Sequence, residues 1–427
     1  MLVLDKLLNI LVIGYVWPEP NSSAAGKNML SLIRSFVAKG HTVTFVTAAT
    51  DSVHKADLTA LGVNCETVAL NCSSFNQQLL QFAPQVVVFD RYMTQEQFAW
   101  RVKETCPDAL HILNTEDLHS LRHARFEAVK RENDATKAHL NTALAQREIG
   151  AILRSDITLV ISSAEYQLLT HVYRVPESQL YYFPLDAGKP LERPPSFEER
   201  QDLVTIGNFR HAPNWDAVLQ LKAMWPAIRK AFPSVNMKVY GAYPPKKATQ
   251  LHNSKQGFYV EGWAEDADNV IAQARLLLAP IRFGAGIKGK LLDAMRCNTP
   301  TLTTDMGAEG LLPPFDPNES DEHNPLWGGA LLPTPCEKDS QIQPWINAIA
   351  ALYHHQDQWQ AAVEKGQALL SSYQKDVQPS AFINHVENLH QRLAAHRDSL
   401  FFHGLLWQQS LNASKYMSQW IEAKNRV

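Results

Sequence analysis

Short apolar runs alternate with longer segments of helical spacing along most of the chain. Many of the runs are apolar on both faces, as expected for strands of a parallel sheet that is covered on both sides. One intervening segment, 25–39, places Met29, Ile33 and Phe36 on a single stripe and is predicted to be a helix. This alternation indicates an α/β protein with parallel sheets. The predicted strands are 10–14, 42–47, 86–90, 110–114, 157–161, 203–207, 237–241, 258–261, 276–280 and 301–304.

A segment rich in Pro and charged residues, 186–200, separates the first five predicted strands from the last five and is typical of a linker. A second loose segment, 313–325, predicts a surface loop. After residue 341 the chain is helical, and Trp345 and Ile349 belong to one apolar stripe. We therefore expect two doubly wound, Rossmann-like domains that face a cleft. The expected division is a first domain at 1–188, a linker at 189–201, a second domain at 202–374 and C-terminal helices at 375–427.

The composition is that of an ordinary globular protein. Hydrophobic residues make up 45% and charged residues 19% of the 427 residues. Lys and Arg number 40 against 43 Asp and Glu, so the net charge is −3. A nearly neutral chain argues against nucleic acid binding through bulk electrostatics.

Cysteine usage and hydropathy narrow the class of protein further. The five Cys residues are scattered and form no Cys-x-x-Cys motif, which argues against a disulfide framework or a zinc site. No apolar run reaches the roughly 18 residues that a membrane helix needs. The apolar start carries Asp5 and Lys6, and it is better explained as a first strand than as a signal peptide. We expect an enzyme-sized cytoplasmic protein.

Ligands of open α/β sheets bind beyond the carboxyl ends of the strands, and three loops there are candidates. In the first loop, 14–26, the small residues Ala24, Ala25 and Gly26 precede a helix whose free N–H groups favour an anion or a polar sugar. The alternative is that small residues merely let helix and sheet pack closely. In another loop, 207–214, Arg210 is either a phosphate ligand or a solvated side chain, and Asn214 is predicted to cap a helix.

The remaining loop, 279–296, joins a strand end, a Gly-rich turn and a helix that is predicted to begin near Gly286. Lys288 and Lys290 lie in the first turn of that helix. The helix macrodipole makes cations unfavourable there, so the two lysines suggest a bound anion such as a diphosphate. Asp293, one turn further on, is placed to accept hydrogen bonds from ribose hydroxyls. The alternative is a surface ion pair between Lys290 and Asp293.

A cluster of polar residues in the first half follows the strand that ends at Asn114. Because that strand end faces the expected cleft, His119 is either functional there or a structural histidine. The residues at 122–131 form a basic stretch, either a solvated helix face or a contact with a membrane surface. The cluster comprises Glu116, Asp117, His119 and Arg122.

Several of these segments together carry a resemblance to a known family. In the first half they are Gly26 and the helix and strand that end at residue 46. In the second half they are 206–217, Gly262, Ala279-Pro280, 284–295 and 300–310. The chain resembles a glycosyltransferase of the GT-B fold, close to the family-4-like retaining transferases called glycosyl transferases group 1. The resemblance is strongest over 204–311.

The resemblance implies a nucleotide-sugar donor in the second domain and a glycan or lipid-linked acceptor in the first. It also implies C-terminal helices that cross back to the first domain, no metal, and no cofactor besides the nucleotide sugar. Catalytic roles would fall to His119 and Asp293. The donor phosphates would contact Arg210, Gly284, Gly286, Ile287, Lys288 and Lys290, the base would lie beside Gly262 and Trp263, and the acceptor side would include Ala25, Gly26, Asp117 and Arg122.

The sequence departs from the family at one catalytic position. The family has two Glu separated by seven residues; the second corresponds to Asp293, and the first to Ala285, which has no carboxylate. Two other functions therefore stay open, a nucleotide-sugar epimerase on the same fold and a non-catalytic GT-B-like subunit. A nicotinamide dehydrogenase is disfavoured, because the Gly-x-Gly-x-x-Gly fingerprint is absent after the first strand.

Overall fold

The computed structural model describes residues 7–312, 326–335 and 339–425, with the backbone alone described at 339–340 and 410–414. Its strands are β1 Asn9–Gly14, β2 Thr42–Thr47, β3 Asn64–Thr67, β4 Val86–Asp90, β5 Leu110–Asn114, β6 Ile157–Val160, β7 Leu180–Tyr182, β8 Gln201–Ile206, β9 Met237–Tyr240, β10 Phe258–Gly262, β11 Ala274–Ala279, β12 Thr301–Thr303 and β13 Gly329–Leu331. Its α-helices are α1 Ala24–Ala38, α2 Ser74–Phe82, α3 Arg91–Thr105, α4 His119–Glu132, α5 Ala143–Arg154, α6 Ser163–Gln167, α7 Ala212–Ala231, α8 Lys246–Thr249, α9 Ala267–Ala272, α10 Gly289–Arg296, α11 Asp305–Ala308, α12 Asp339–His354, α13 Gln356–Gln374, α14 Pro379–Gln391, α15 Leu393–Ser399 and α16 Phe401–Asn425.

The described strands form two parallel sheets. The first has the order β3-β2-β1-β4-β5-β6-β7, and the second has the order β10-β9-β8-β11-β12-β13. In each sheet the strand order reverses beside the first strand, between β1 and β4 and between β8 and β11. Ligand sites of doubly wound sheets lie at this reversal, beyond the carboxyl ends of the strands.

All ten predicted strands are present, so the α/β prediction with two doubly wound sheets is confirmed. The predicted helix over 25–39 is α1, which begins at Ala24 because the Ser23 hydroxyl caps it by accepting from the Gly26 N–H at 3.0 Å. The sequence pattern missed β3, β7 and β13. Each has three or four residues and is an outermost strand of its sheet, where fewer of the side chains need to be apolar.

Both faces of the first sheet are covered, and one of them is covered by helices from the C-terminal end of the chain. Alternate residues of each central strand enter opposite cores, with Leu11 and Ile13 on one side and Ile10 and Val12 on the other. On the second side, α14 contributes Phe382, Ile383, Val386 and Leu389. The helices after residue 375 thus pack on the first sheet, although they come after the strands of the second sheet in the sequence.

A buried ion pair fixes this return of the chain. Arg397, on α15, donates to both oxygens of Asp156 at 2.7 and 2.8 Å and to the carbonyls of Pro107 and Ala109 at 2.6 Å each. Burial alone would raise the pKa of Asp156, but the Arg397 guanidinium outweighs it and holds that pKa below its ordinary value. The carboxylate also accepts from the His111 N–H at 2.7 Å, so one pair joins β5, β6 and the C-terminal helices.

None of the helices in the described ranges combines the length and the hydropathy that a membrane span requires. The surface loop predicted at 313–325 lies outside the described residues. The boundaries given above for the two domains and the linker remain predictions. Arg200, at the end of that linker, is fully buried and donates to Thr299 at 2.8 Å and to the Cys297 carbonyl at 2.8 Å.

We expect Arg397→Ala to lower the free energy of unfolding by about 3–5 kcal/mol, because the buried Asp156 carboxylate would lose its guanidinium partner. Urea unfolding followed by circular dichroism measures the change. Arg131→Ala is the matched control, since Arg131 is exposed and pairs with its neighbour Glu132; its loss should cost less than about 1 kcal/mol. Equal stability losses in the two variants would contradict this account of the C-terminal helices.

Candidate active site

The candidate site lies where two loops meet across the domains. One loop, 115–118, follows β5; the other, 280–288, follows β11 and contains the Gly-rich turn. The contact is close: a Cβ placed on Gly286 would lie 2.8 Å from the Cβ of Asp117, and Gly286 has a positive φ of 61°. Only glycine satisfies both conditions without strain. A similar approach occurs at Gly289, where a Cβ would lie 2.8 Å from the Cβ of Ala24.

Two buried carboxylates hold the start of α4 beside this contact. Glu148 accepts from the His119 N–H at 3.0 Å and the Ser120 N–H at 2.8 Å, and Glu165 accepts from the Leu118 N–H at 2.9 Å. The first N–H groups of a helix have no partner within it, and its macrodipole favours negative charge there. Together the two carboxylates fix the orientation of His119.

Glu165 also reaches the second domain. Its Oε1 atom accepts from the Gly286 N–H at 2.9 Å as well as from Leu118, while its Oε2 atom has no hydrogen-bond partner among the described residues. Burial raises the pKa of Glu165 to about 8, and the negative charge of Asp117 adds to the effect. One buried carboxyl thus joins the two loops of the site. Sequence reasoning missed it, because nothing at 165 marks its contact with residues 118 and 286.

Asp117 is the centre of the polar cluster. It forms an ion pair with Arg122, and its Oδ1 lies 3.5 Å from Nε2 of His119. Burial alone would raise the pKa of Asp117, but Arg122, His119 and His211 outweigh it and hold that pKa well below its usual range. Burial lowers the pKa of His119 to about 4, against the pull of Asp117, so His119 is neutral at pH 7. Asp117, His119 and Arg122 of the predicted cluster therefore lie together, and His211 from the second domain lies near them.

Glu116 points away from the Gly-rich turn. Its carboxylate accepts from Asn114 at 2.8 Å and from Asn28 at 3.3 Å, and its backbone has a positive φ of 62°. Burial raises the pKa of Glu116 to about 8, with a further contribution from Asp90. These hydrogen bonds join Glu116 to the end of β5 and to α1.

The lysines of the Gly-rich turn are only partly exposed. Lys288 donates to the Gly286 carbonyl at 3.1 Å and lies 3.9 Å from Glu309, and burial lowers its pKa. Lys290 donates to Oδ1 of Asn214 at 2.8 Å, and burial lowers its pKa to about 8. Two desolvated ammonium groups at the start of a helix are costly, and a bound anion would offset that cost.

Three predicted details of this region are wrong. Helix α10 begins at Gly289 rather than near Gly286, because the turn needs the positive φ of Gly286. Asn214 is not an N-cap: α7 begins at Ala212 after His211, and Asn214 donates to the Asn208 carbonyl at 3.1 Å.

The third concerns Asp293. The alternative pairing of Asp293 with Lys290 does not form. Asp293 instead lies 2.8 Å from Lys27 on α1 and 3.4 Å from Arg296. The carboxylate expected to hold the ribose is therefore neutralised from the first domain. A ribose at this position would compete with the Lys27 ammonium group.

The residues expected beside the base form a separate interdomain group. Trp263, directly after Gly262, stacks on His54 with ring centroids 4.7 Å apart, and the Tyr243 hydroxyl donates to Glu19 at 2.8 Å. The Arg210 guanidinium lies 3.7 Å from the centroid of the Tyr243 ring. The structure thus places Arg210 with this aromatic group.

The small residues of the first loop serve close packing in this structure. The Gly26 N–H is already bonded to Ser23, and a Cβ on Gly26 would lie 2.3 Å from the carbonyl oxygen of Glu19. Ala24 packs on Gly289, while Ala25 is only partly buried. The acceptor-side roles of Ala25 and Gly26 remain predictions.

The basic stretch at 122–131 is largely engaged by the protein itself. Arg122 pairs with Asp117, and Arg125 donates to both oxygens of Glu309 at 2.6 Å each and to the Gly284 carbonyl at 2.8 Å. The guanidinium groups of Arg122 and Arg125 are therefore already paired within the protein, and a membrane surface would have to compete for them. A membrane contact through this stretch remains a prediction.

The part of the chain that contains the Gly-rich turn matches a known protein family. Residues 200–319, which include β8 to α11 and the Gly-rich turn, match the family model described as glycosyl transferases group 1. The chain resembles the group 1 glycosyltransferases. A search of the curated protein sequences finds no match.

Solved structures show a likeness of fold over most of the chain. Sucrose-phosphate synthase from Thermosynechococcus elongatus is 13% identical, with a TM-score of 0.62 over 90% of this chain and 99% of that one. HepE from Anabaena, in complex with UDP and glucose, is 14% identical, with a TM-score of 0.61 over 89% and 99%. WaaG, a glycosyltransferase involved in lipopolysaccharide biosynthesis, is 15% identical, with a TM-score of 0.57 over 85% and 95%. At these identities the likeness establishes the fold, which is GT-B.

We expect Glu165→Gln to change how stability depends on pH. The pKa of Glu165 lies near 8 in the folded chain against an ordinary value of 4.5, so the wild type loses stability as the pH rises from about 5 to 8. Gln does not titrate, and the variant should lose up to about 1.4 kcal/mol less per pH unit. Urea unfolding across this range tests the slope, with the exposed Glu198→Gln as control. Parallel slopes for all three proteins would contradict the prediction.

Proposed function

We propose that the protein is a retaining glycosyltransferase, which moves a sugar from a nucleotide diphosphate to a hydroxyl group of a glycan or lipid-linked acceptor. The observation that carries the proposal is the pair of partly exposed lysines, Lys288 and Lys290, whose pKa values are lowered by desolvation on the Gly-rich turn inside the family match. They lie across the contact between the two loops from the cluster around Asp117 and His119. The UDP and glucose bound by HepE support a nucleotide-sugar donor for this chain.

The donor would bind with its diphosphate on the Gly284–Lys290 turn. Fixed N–H groups and the two ammonium groups would stabilise the charge that develops on the leaving phosphate, which is the largest contribution in many transferases. Gly286 lets the turn approach Asp117 closely, and Ile287 is buried against the second-domain core. A phosphate there would return the pKa of Lys290 toward its ordinary range.

The other residues would orient the reacting groups. Asp293 would accept from the ribose hydroxyls once Lys27 is displaced, and Trp263 would lie beside the base. His119, neutral at pH 7, can accept or donate a hydrogen bond and would orient a sugar hydroxyl near the reacting carbon. The leaving phosphate would take the proton of the acceptor, so no separate base is proposed. We also propose that neither a metal nor a further cofactor is needed and that the protein acts in the cytoplasm.

One observation favours a second candidate, a non-catalytic GT-B-like subunit. Ala285, at the position of the first family Glu, is buried among first-domain core residues and supplies no carboxylate. Incubation with a panel of nucleotide sugars and hydroxyl acceptors, with EDTA present, separates the candidates. Glycosylated acceptor supports the transferase, an isomerised donor without acceptor indicates an epimerase, and nucleotide binding without turnover indicates the subunit.

We expect Lys288→Ala to weaken binding of a nucleoside diphosphate by roughly ten- to a hundredfold, since a charge-assisted contact is worth about 1.5–3 kcal/mol. Binding of the free nucleoside should be unchanged. Calorimetry with UDP and uridine gives both affinities. The control Lys130→Ala removes an exposed charge from α4 and should change neither. An equal loss for UDP and uridine would show that Lys288 is not a phosphate ligand.

For Asp293→Asn we expect a similar loss of affinity for the nucleotide sugar, because one ribose hydroxyl loses its acceptor. This substitution also weakens the pair with Lys27, so Lys27→Met is the matched control. It removes the ion pair and keeps the carboxylate, and it should leave donor affinity equal or higher. If Lys27→Met lowers the affinity as much as Asp293→Asn does, the ribose contact is wrong and the ion pair is what matters.

His119→Ala should lower kcat by about a hundredfold or more, the usual contribution of a well-placed polar group, while the Kd for the nucleotide stays within about twofold. His123→Ala, on the exposed side of the same helix, controls for damage to α4. Turnover of His119→Ala at the wild-type rate would make His119 a structural residue.

A further inference from the structure

The last helix, α16, carries a concentration of exposed apolar side chains. Six of the seventeen exposed large hydrophobic residues among the described ones lie on this helix. Their positions fall within a sector of about 160° at 3.6 residues per turn, so they form one face. The face comprises Phe401, Phe402, Leu405, Tyr416, Met417 and Trp420, and is called the α16 face below.

The opposite side of α16 attaches it to the first domain. His403, Trp407 and Ser418 are buried there, and the Trp407 indole donates to the Arg154 carbonyl at 2.9 Å. Helix α16 packs against α3 and α5. The helix is therefore held along its length, and the α16 face points away from the protein.

The charges of α16 leave this face without an acidic group. Glu422, the only acidic residue of the helix, turns to the first domain, where it accepts from the Ser73 hydroxyl at 2.6 Å. Lys415 turns the same way and pairs with Glu104 at 2.6 Å. The remaining cation, Lys424, lies 5.2 Å from the ring centroid of Trp420, on the exposed side. A face with apolar side chains, one cation and no acidic group is complementary to a surface that is apolar below an anionic layer.

The area and the residue types indicate what covers the face. At about 200 Å² for each aromatic side chain, the exposed fractions of 76, 58, 63 and 59% amount to roughly 500 Å². Leu405 and Met417 bring the strip to roughly 650 Å², below the about 800 Å² per partner of a standard protein interface. Trp, Tyr and Phe with a flanking Lys are instead the residues enriched where a protein meets the headgroup region of a bilayer.

We propose that the α16 face binds the surface of an anionic lipid bilayer, with α16 lying parallel to the membrane plane. The aromatic side chains enter the boundary between headgroups and acyl chains, and Lys424 contacts the anionic headgroups. The proposal goes beyond sugar transfer and does not depend on it, because the contact lies on the first domain and uses none of the residues assigned to the donor or to catalysis.

Sedimentation of the full chain with vesicles tests the proposal. We expect binding to vesicles of phosphatidylcholine and phosphatidylglycerol in equal parts and weaker binding to phosphatidylcholine alone. The triple variant Phe401→Ser/Phe402→Ser/Trp420→Ser should lower the partition coefficient at least roughly tenfold. The matched control Val53→Ser/Leu80→Ser/Val172→Ser removes three exposed apolar side chains from other faces and should bind as the wild type does.

Three outcomes would overturn the proposal. The first is that the wild type binds neither kind of vesicle. The second is that the two triple variants lose binding equally. The third is that the wild type sediments as a dimer without lipid, whereas the α16 variant sediments as a monomer. The last would make the face an interface between two copies. Circular dichroism of both variants shows whether they are folded, and Trp420→Phe, which keeps an aromatic ring, should retain vesicle binding.

Discussion

The site depends on the direct contact between the loop after β5 and the Gly-rich turn after β11. Each loop carries part of the proposed chemistry, His119 and Asp117 on one side and Lys288 on the other. The Glu165 carboxyl holds them together by accepting from the N–H groups of Leu118 and Gly286 at 2.9 Å each. A side chain at 286 would separate the loops, since its Cβ would lie 2.8 Å from that of Asp117.

Around this contact the structure buries more charge than a core normally contains. The pKa values of Glu165 and Glu116 rise to about 8 and that of Lys290 falls to about 8, each through burial. Strongly shifted groups that converge at a cleft are typical of functional sites, although structural networks shift pKa values too. Here the cations lie on the Gly-rich turn inside the family match, and two cross-domain ion pairs, Lys27 with Asp293 and Arg125 with Glu309, lie around the same turn.

Much of the fold follows from local pattern. A strand such as β4 is readable because it is mostly apolar and both of its faces are buried, whereas β3 at the edge is mostly polar and gives no such signal. The lysines at 288 and 290 were identified because cations at a helix start contradict the macrodipole. Glu165 and the pair of Lys27 with Asp293 could not be identified. Their partners lie 47 to 266 residues away in sequence, and only the packing of two domains brings them together.

The central claim is that the Gly-rich turn binds a diphosphate through its two lysines, and proton uptake on binding tests it most directly. At pH 8 the pKa of Lys290 makes it about half-protonated in the free protein, and a bound diphosphate raises that pKa. Calorimetric titration of the protein with UDP at pH 8, in two buffers of different ionisation enthalpy, should show net uptake of up to roughly half a proton by Lys290, falling toward zero with uridine. UDP binding without proton uptake, or with proton release, would contradict the account.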